Sequence, residues 1–160
     1  MDYAIGSGGR KVIIAMRPGE NVIDILMEVF ESTGLQNAAI TSFLGSMTKI
    51  AYAYAIADNS RCFGFRYGDT IQLEGLIEIV SGQGMICRND NNESICHLHA
   101  AFCDETGKVM AGHIMPQENI CLGTVEVLLE EIDGVNLKRQ MDVAVGGAIM
   151  TARTIMQKSS

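Results

Sequence analysis

The sequence predicts an α+β domain, a mainly antiparallel β-sheet with one principal amphipathic helix in a compact single unit. Three observations lead there. Only one segment repeats apolar residues at helical spacing. About seven others show β-branched runs or period-two alternation. Clusters of Gly, Asn and Asp separate them at hairpin-like intervals, as expected where strands follow one another through tight turns. The chain has 160 residues, 48% hydrophobic and 19% charged. That is long enough to bury one core without disulfide or metal staples, and too apolar for wholesale disorder.

Residues 1–10 read as a flexible, glycine-rich lead-in. Gly6-Ser7-Gly8-Gly9 lacks the Gly-Lys-Ser/Thr ending of a phosphate loop and opens no helix. The domain spans 11–150, and 151–160 form a C-terminal tail. Lys11–Met16 is a short β-branched run, closed by a turn at Arg17-Pro18-Gly19-Glu20. Val22, Ile25, Leu26, Val29 and Phe30 then recur at helical spacing among Asp24, Glu28 and Glu31, with Gly34 suited to the C-terminal cap. Strands are expected at Ala38–Met47 and Lys49–Ala57. In the second, Ile50, Tyr52, Tyr54 and Ile56 alternate with alanines, and Asp58-Asn59-Ser60 turns the chain after it. Further strands are expected at Ile71–Val80, Gly84–Arg88, Ile95–Cys103, Val109–Met115 and Ile120–Ile132. From Gly146 to Ser160 a short helix or an extended arm is expected. No internal repeat and no second-domain boundary is visible.

Composition narrows the function classes. Cys62, Cys87, Cys96, Cys103 and Cys121 contain no Cys-x-x-Cys pair, so neither a disulfide framework nor a zinc ribbon is indicated. Four of the five fall in expected strands, where a free cysteine acts as a small hydrophobe. The N-terminus lacks the basic and apolar regions of a secretory signal, and no apolar run approaches the roughly 18 residues of a membrane span. A cytoplasmic location with no membrane partner is expected. The net charge is −7, and twelve basic residues are thinly scattered, with Arg10-Lys11 and Lys138-Arg139 the densest groups. Phosphate neutralisation supplies most duplex affinity, so direct DNA binding is disfavoured.

All three histidines lie between residues 97 and 113. Histidine is the commonest metal ligand and the usual proton shuttle near neutral pH. Cys96–Cys103 and Lys108–Met115 should form a hairpin around Asp104-Glu105-Thr106-Gly107. Residues i and i+2 of a strand share a face, so His97 and His99 point the same way. A three- or five-residue loop places His97 opposite His113 on that face, and sets Leu98, Ala100 and Phe102 against Met110, Gly112 and Ile114 on the other. A four-residue loop would mix the two sets, because a slip of one residue flips every side chain. Three imidazoles with an open fourth position make a catalytic-type zinc arrangement, although nickel, copper and iron also suit imidazole. The alternative is that the rings satisfy backbone carbonyls or pack at a subunit interface. If a metal is present, its water needs a carboxylate as general base. The nearest candidates by sequence are Glu78, Asp104, Glu118 and Glu126, with Asp104 placed in a turn for backbone reasons.

Further motifs occur in order along the chain: Pro18-Gly19-Glu20, Gly45-Ser46, Glu78-Ile79 ahead of Gly82-Gln83-Gly84, His97-Leu98-His99, Asp104-x-x-Gly107, Gly112-His113, Thr124-x-Glu126-Val127 and Arg139-x-x-Asp142. With them the chain resembles, over roughly 11–150, the plants-and-prokaryotes-conserved (PCC or PPC) domain, which plants carry in AT-hook nuclear-localised proteins. The resemblance implies a compact α+β domain that assembles as a homotrimer. It also implies a metal-site capacity for the three histidines, as in prokaryotic members. The DNA-binding label of the family comes largely from the AT-hook, a basic Arg-Gly-Arg-Pro segment outside the domain, and these 160 residues contain none. Gln83 stands where the family tends to have asparagine. Ala111 replaces a second glycine before the last histidine, where it would crowd a close backbone approach.

Two functions are therefore expected. The first is a trimeric domain with a divalent metal, zinc, on His97, His99 and His113 and a regulatory or interaction role. Methionines and the Tyr52/Tyr54 strand would then supply either subunit contacts or ordinary core. The second is a zinc-dependent, hydrolase- or lyase-like enzyme acting on a small-molecule ligand beside the histidines.

Overall fold

The computed structural model describes residues 3–144 and 147–155. Ten strands and one helix follow in the order β1 (Ser7–Met16), α1 (Val22–Thr33), β2 (Ala38–Ala53), β3 (Ala55–Ala57), β4 (Phe65–Tyr67), β5 (Ile71–Asn89), β6 (Ser94–Asp104), β7 (Val109–Ile114), β8 (Ile120–Asp133), β9 (Val135–Asp142) and β10 (Gly147–Thr154), counted among the described residues. Among the described residues strands take 66% and the helix 8%, so the expected α+β class is corrected to mainly β, built largely on one sheet. The helix stands where its apolar spacing placed it. The balance shifts because segments with little alternating pattern are drawn into the sheet by backbone pairing, helped in β9 by Val135 and Leu137 packing on Cys87. Ser7–Arg10 extends β1 into the expected lead-in. Polar Val135–Asp142 pairs along its whole length with Gly147–Thr154, where a short helix or arm was expected. The last part of that tail, 156–160, lies outside the described residues.

Helix α1 starts at the side chain of Asn21, whose Oδ1 accepts from the Ile23 N–H at 3.1 Å. It ends at Gly34, whose φ of 68° is the left-handed cap that glycine adopts without Cβ strain. Val22, Ile23, Leu26 and Phe30 form its buried stripe, and it packs against β6 and β8. Leu98, Phe102, Val127 and Leu129 are buried in the same cluster.

The main sheet runs β1-β8-β2-β7-β6-β5-β9-β10, with β2 also paired to β5. Because β2 joins β5, β5 joins β6, β6 joins β7, and β7 returns to β2 through Tyr52–Ile114 and Ala53–His113, these four strands close a circuit. Tyr52 is buried and sits edge-on to Phe102 at 5.0 Å, so it belongs to the core, while Tyr54 is exposed. Two expected strand breaks are bulges instead. The ladder shifts between Met47 and Lys49 within β2, and between Ile79 and Ser81 within β5. An extra residue on one strand interrupts the side-chain alternation without ending the strand. Ala38–Met47 therefore continues to Ala53 and Ile71–Val80 continues to Asn89, while the end of the expected Lys49–Ala57 strand leaves the main sheet and forms β3. The small β3–β4 hairpin stands apart as a two-stranded sheet.

Candidate metal centre

The β6–β7 hairpin carries all three histidines. Leu98, Ala100 and Phe102 are buried, so His97 and His99 point away from the core on the opposite face of β6. The turn is set by Asp104. Its Oδ1 accepts from the Thr106 N–H (2.9 Å), the Thr106 hydroxyl (2.6 Å) and the Lys108 N–H (3.1 Å), and Gly107 closes the turn at φ 80°. The pairing that results places His99, not His97, opposite His113, with Ala100 facing Gly112 and Phe102 facing Met110. This register differs by two residues from the expected one. A shift of two preserves the face, so the rings still converge.

Neighbouring strands press the hairpin into place. A Cβ on Gly84 would strike the His97 carbonyl oxygen, so only glycine lets β5 lie this close to β6. On the far side a Cβ on Gly112 would meet the Ala53 carbonyl oxygen at 2.7 Å. Ala111 is exposed on the outward surface. The close approach of β7 to β2 falls at Gly112, and Ala111 does not crowd it. Asn119 locks the segment that follows β7. Its Oδ1 accepts from the Ala51 N–H (3.0 Å), and its Nδ2 donates to the Met115 and Gln117 carbonyls (both 2.8 Å).

The three side chains offer nitrogen atoms that all lie within 4.8 Å of one another, a spacing able to hold one metal ion. The Nε2 atoms of His97 and His99 are 3.1 Å apart, and His113 lies with its ring centroid 5.1 Å from each of the other two. Zinc–imidazole bonds of about 2.0–2.1 Å in a tetrahedral arrangement separate ligand nitrogens by roughly 3.4 Å. The observed pair is within a few tenths of an ångström of that. The Nδ1 of His113 is buried and has no hydrogen-bond partner. Such orphaned nitrogens are costly and rare in folded proteins, and a bound ion with its water would remove the deficit. The donor set therefore fits a metal.

Electrostatics favour the neutral, ligating form. Burial first, then His97, His99 and Arg139, pushes the His113 imidazole down to about 4. His97 is lowered by the same causes, with burial the largest and His99 and Arg139 following. Protons therefore do not compete for these nitrogens at neutral pH. Tyr67 stacks on His113 at 4.8 Å and 26°, and a row of rings continues from it to Phe65 (6.3 Å) and Phe63 (5.9 Å). These aromatics, with Arg66, Arg139 and His97, border a cleft of about 550 Å³. His99 is exposed and opens onto a shallower depression of about 270 Å³ beside Gln83 and Ala111.

None of the carboxylate candidates joins the three-histidine group. Asp104 caps its own turn, and the Thr106 hydroxyl, followed by the Lys108 and Thr106 N–H groups, holds its carboxyl below the ordinary range. It lies five residues from His99, roughly 17 Å along a strand. Glu78 is exposed on β5 between Cys103 and Ser46. Glu126 stands on β8 between Leu44 and Ala15, and Glu118 pairs with Lys49 at 2.9 Å. Five contributors carried little sequence signal as site residues. Phe63, Phe65 and Tyr67 alternate at period two, but the run is short, interrupted by Gly64 and closed by Gly68. Asn119 reads as an ordinary turn residue, and Arg139 sits in a polar stretch.

The sequence profile of the Plants and Prokaryotes Conserved (PCC) domain matches residues 3–133, and the chain belongs to that family. No curated protein matches it in sequence. Three solved structures share the fold. One is a hypothetical protein of Salmonella enterica, with TM-score 0.78 and 24% identity, covering 98% of this chain and 100% of that one. Another is a plant- and prokaryote-conserved protein of Pyrococcus horikoshii, at 0.76 and 23%, covering 93% and 96%. The third, from Archaeoglobus fulgidus, is described as a metal-containing protein, at 0.76 and 21%, covering 93% and 98%. Identities this low speak for the fold alone.

Proposed function

We propose that this protein is a metal-binding domain with a regulatory or interaction role, working as a homotrimer, in which His97, His99 and His113 hold one zinc ion and leave a fourth position open. The observation that carries the reading is the convergence of three imidazoles whose ligand nitrogens lie within 4.8 Å of one another, and the buried, unpaired Nδ1 of His113 supports it. The metal-containing relative supports it. Zinc suits three neutral imidazoles, and an open position is typical where closed thiolate sets are lacking. Exposed His99 leaves that position accessible from outside. A hydrolytic or lyase-like reading needs a general base, and no carboxylate among the described residues reaches the group. Duplex binding is not favoured either, because Arg10, Lys11, Lys49, Arg61, Arg66 and Arg88 are each ion-paired to an acidic residue.

Element analysis of protein purified without chelator should find about one zinc per chain, the number that a single three-histidine site holds. A His99→Ala/His113→Ala double variant that still folds should hold none. Wild-type protein free of metal after incubation with zinc and desalting would refute the site.

A further inference from the structure

Arg139 lies on β9 opposite Met150 of β10, on the strand face that buries Val135 and Leu137. It is half-buried, yet among the described residues its guanidinium has no carboxylate partner. Arg66, at the same cleft, is occupied by Asp58 (3.6 Å) and by the Tyr67 carbonyl (3.1 Å). An uncompensated guanidinium in a partly apolar setting loses hydration without regaining it from the protein, and an anion restores the balance. The cleft it borders has a volume of about 550 Å³, within the range of small-molecule sites. His97 forms part of the same wall, while Phe65, Tyr67, Ile149 and Met150 supply apolar and aromatic surface.

We propose that this cleft, between the β3–β4 and β9–β10 hairpins, binds a small aromatic carboxylate. Its carboxylate forks onto Arg139 beside His97, and its ring lies against Phe65 and Tyr67. His97, a zinc ligand in the reading above, forms part of the wall, and to that extent the assignment rests on that reading. One free guanidinium matches a single negative charge in a bidentate pair. A phosphate dianion would want more donors than the cleft offers, and the apolar walls favour a ligand with a ring. Occupancy of such a cleft would give a regulatory domain its signal.

Calorimetric titration of zinc-loaded protein with benzoate tests this, with benzamide as the neutral compound of the same shape and inorganic phosphate as the competing anion. Benzoate should bind, and benzamide should bind at least roughly tenfold more weakly, the least expected for losing a charged hydrogen-bonded pair. Arg139→Met should weaken benzoate by a similar factor while zinc content and circular dichroism stay unchanged. No benzoate binding at millimolar concentration, equal binding of benzamide, indifference to Arg139→Met, or tighter binding of phosphate each overturns the carboxylate assignment and leaves the zinc reading standing. If instead the wild type holds no zinc, the metal reading fails on that measurement. An Arg139-dependent benzoate signal in the same protein would still support the cleft, and its absence would overturn it.

Discussion

Asn119 does not belong to the three-histidine group, yet it governs where His113 sits. Its side chain satisfies one backbone N–H and two carbonyls while fully buried, and its own carbonyl accepts from the Val22 N–H at 2.8 Å. One residue thus ties the end of β7, the end of β2 and the start of α1. Removing the amide in Asn119→Ala leaves the buried Ala51 N–H unpaired and takes a donor from the partly buried Met115 carbonyl and from that of Gln117. The expected loss is roughly 3 kcal/mol, typical of breaking a buried network. Chemical denaturation should show it as a lower midpoint, and zinc affinity should fall because the ligand strand loosens. An unchanged midpoint would mean that water replaces the amide. Gly84 acts by an opposite route, through the side chain it lacks.

At the scale of elements, the β6–β7 hairpin depends on a turn whose hydrogen bonds converge on Asp104. The native carboxyl titrates below its unfolded value, because the Thr106 hydroxyl and the Lys108 and Thr106 N–H groups favour the charged form. Its stabilisation is therefore complete above the ordinary Asp value of about 3.9 and is lost as pH falls through the native one. Asp104→Ala should lower the Tm at pH 7, and the gap to wild type should close as acid protonates the wild-type carboxyl. A gap independent of pH would assign the effect to something other than this charge. The same turn explains the register. An odd-numbered closure, of three or five residues around 104–107, was legible in the apolar pattern, but which residues close it depends on where the Asp104 side chain finds its donors.

For the whole molecule, the outward face of the sheet is the surface that matters. Ile13, Leu44, Leu76 and Val80 flank buried Ile14, Phe43, Ile77 and Ile79, so they point away from the core, each at least half exposed or nearly so. Exposed apolar surface of this kind marks association sites, which supports the homotrimer. Light scattering at micromolar concentration should give the mass of three chains, and Leu44→Lys should shift it towards one chain while leaving the fold intact. A wild-type monomer would remove the trimer from the proposal. No helix among the described residues is long and apolar enough to cross a membrane.

What the sequence determined on its own was local in origin. The helix between its caps follows from 3.6-residue periodicity. The shared face of His97 and His99 follows from strand parity, while His113 joins them only in the register that the apolar pattern of the two strands favours. The family was legible from motifs spaced along the whole chain. Tertiary structure alone decided what depends on distant partners. Bulges at Met47–Lys49 and Ile79–Ser81 joined segments whose broken alternation reads as strand ends. The β9–β10 pairing recruited polar residues that carry no periodic signal. Only tertiary packing brought Tyr67 of the separate β3–β4 hairpin over His113, and Arg139 to the cleft beside His97. Backbone hydrogen bonding and long-range packing do not depend on side-chain periodicity, so no local pattern announced them.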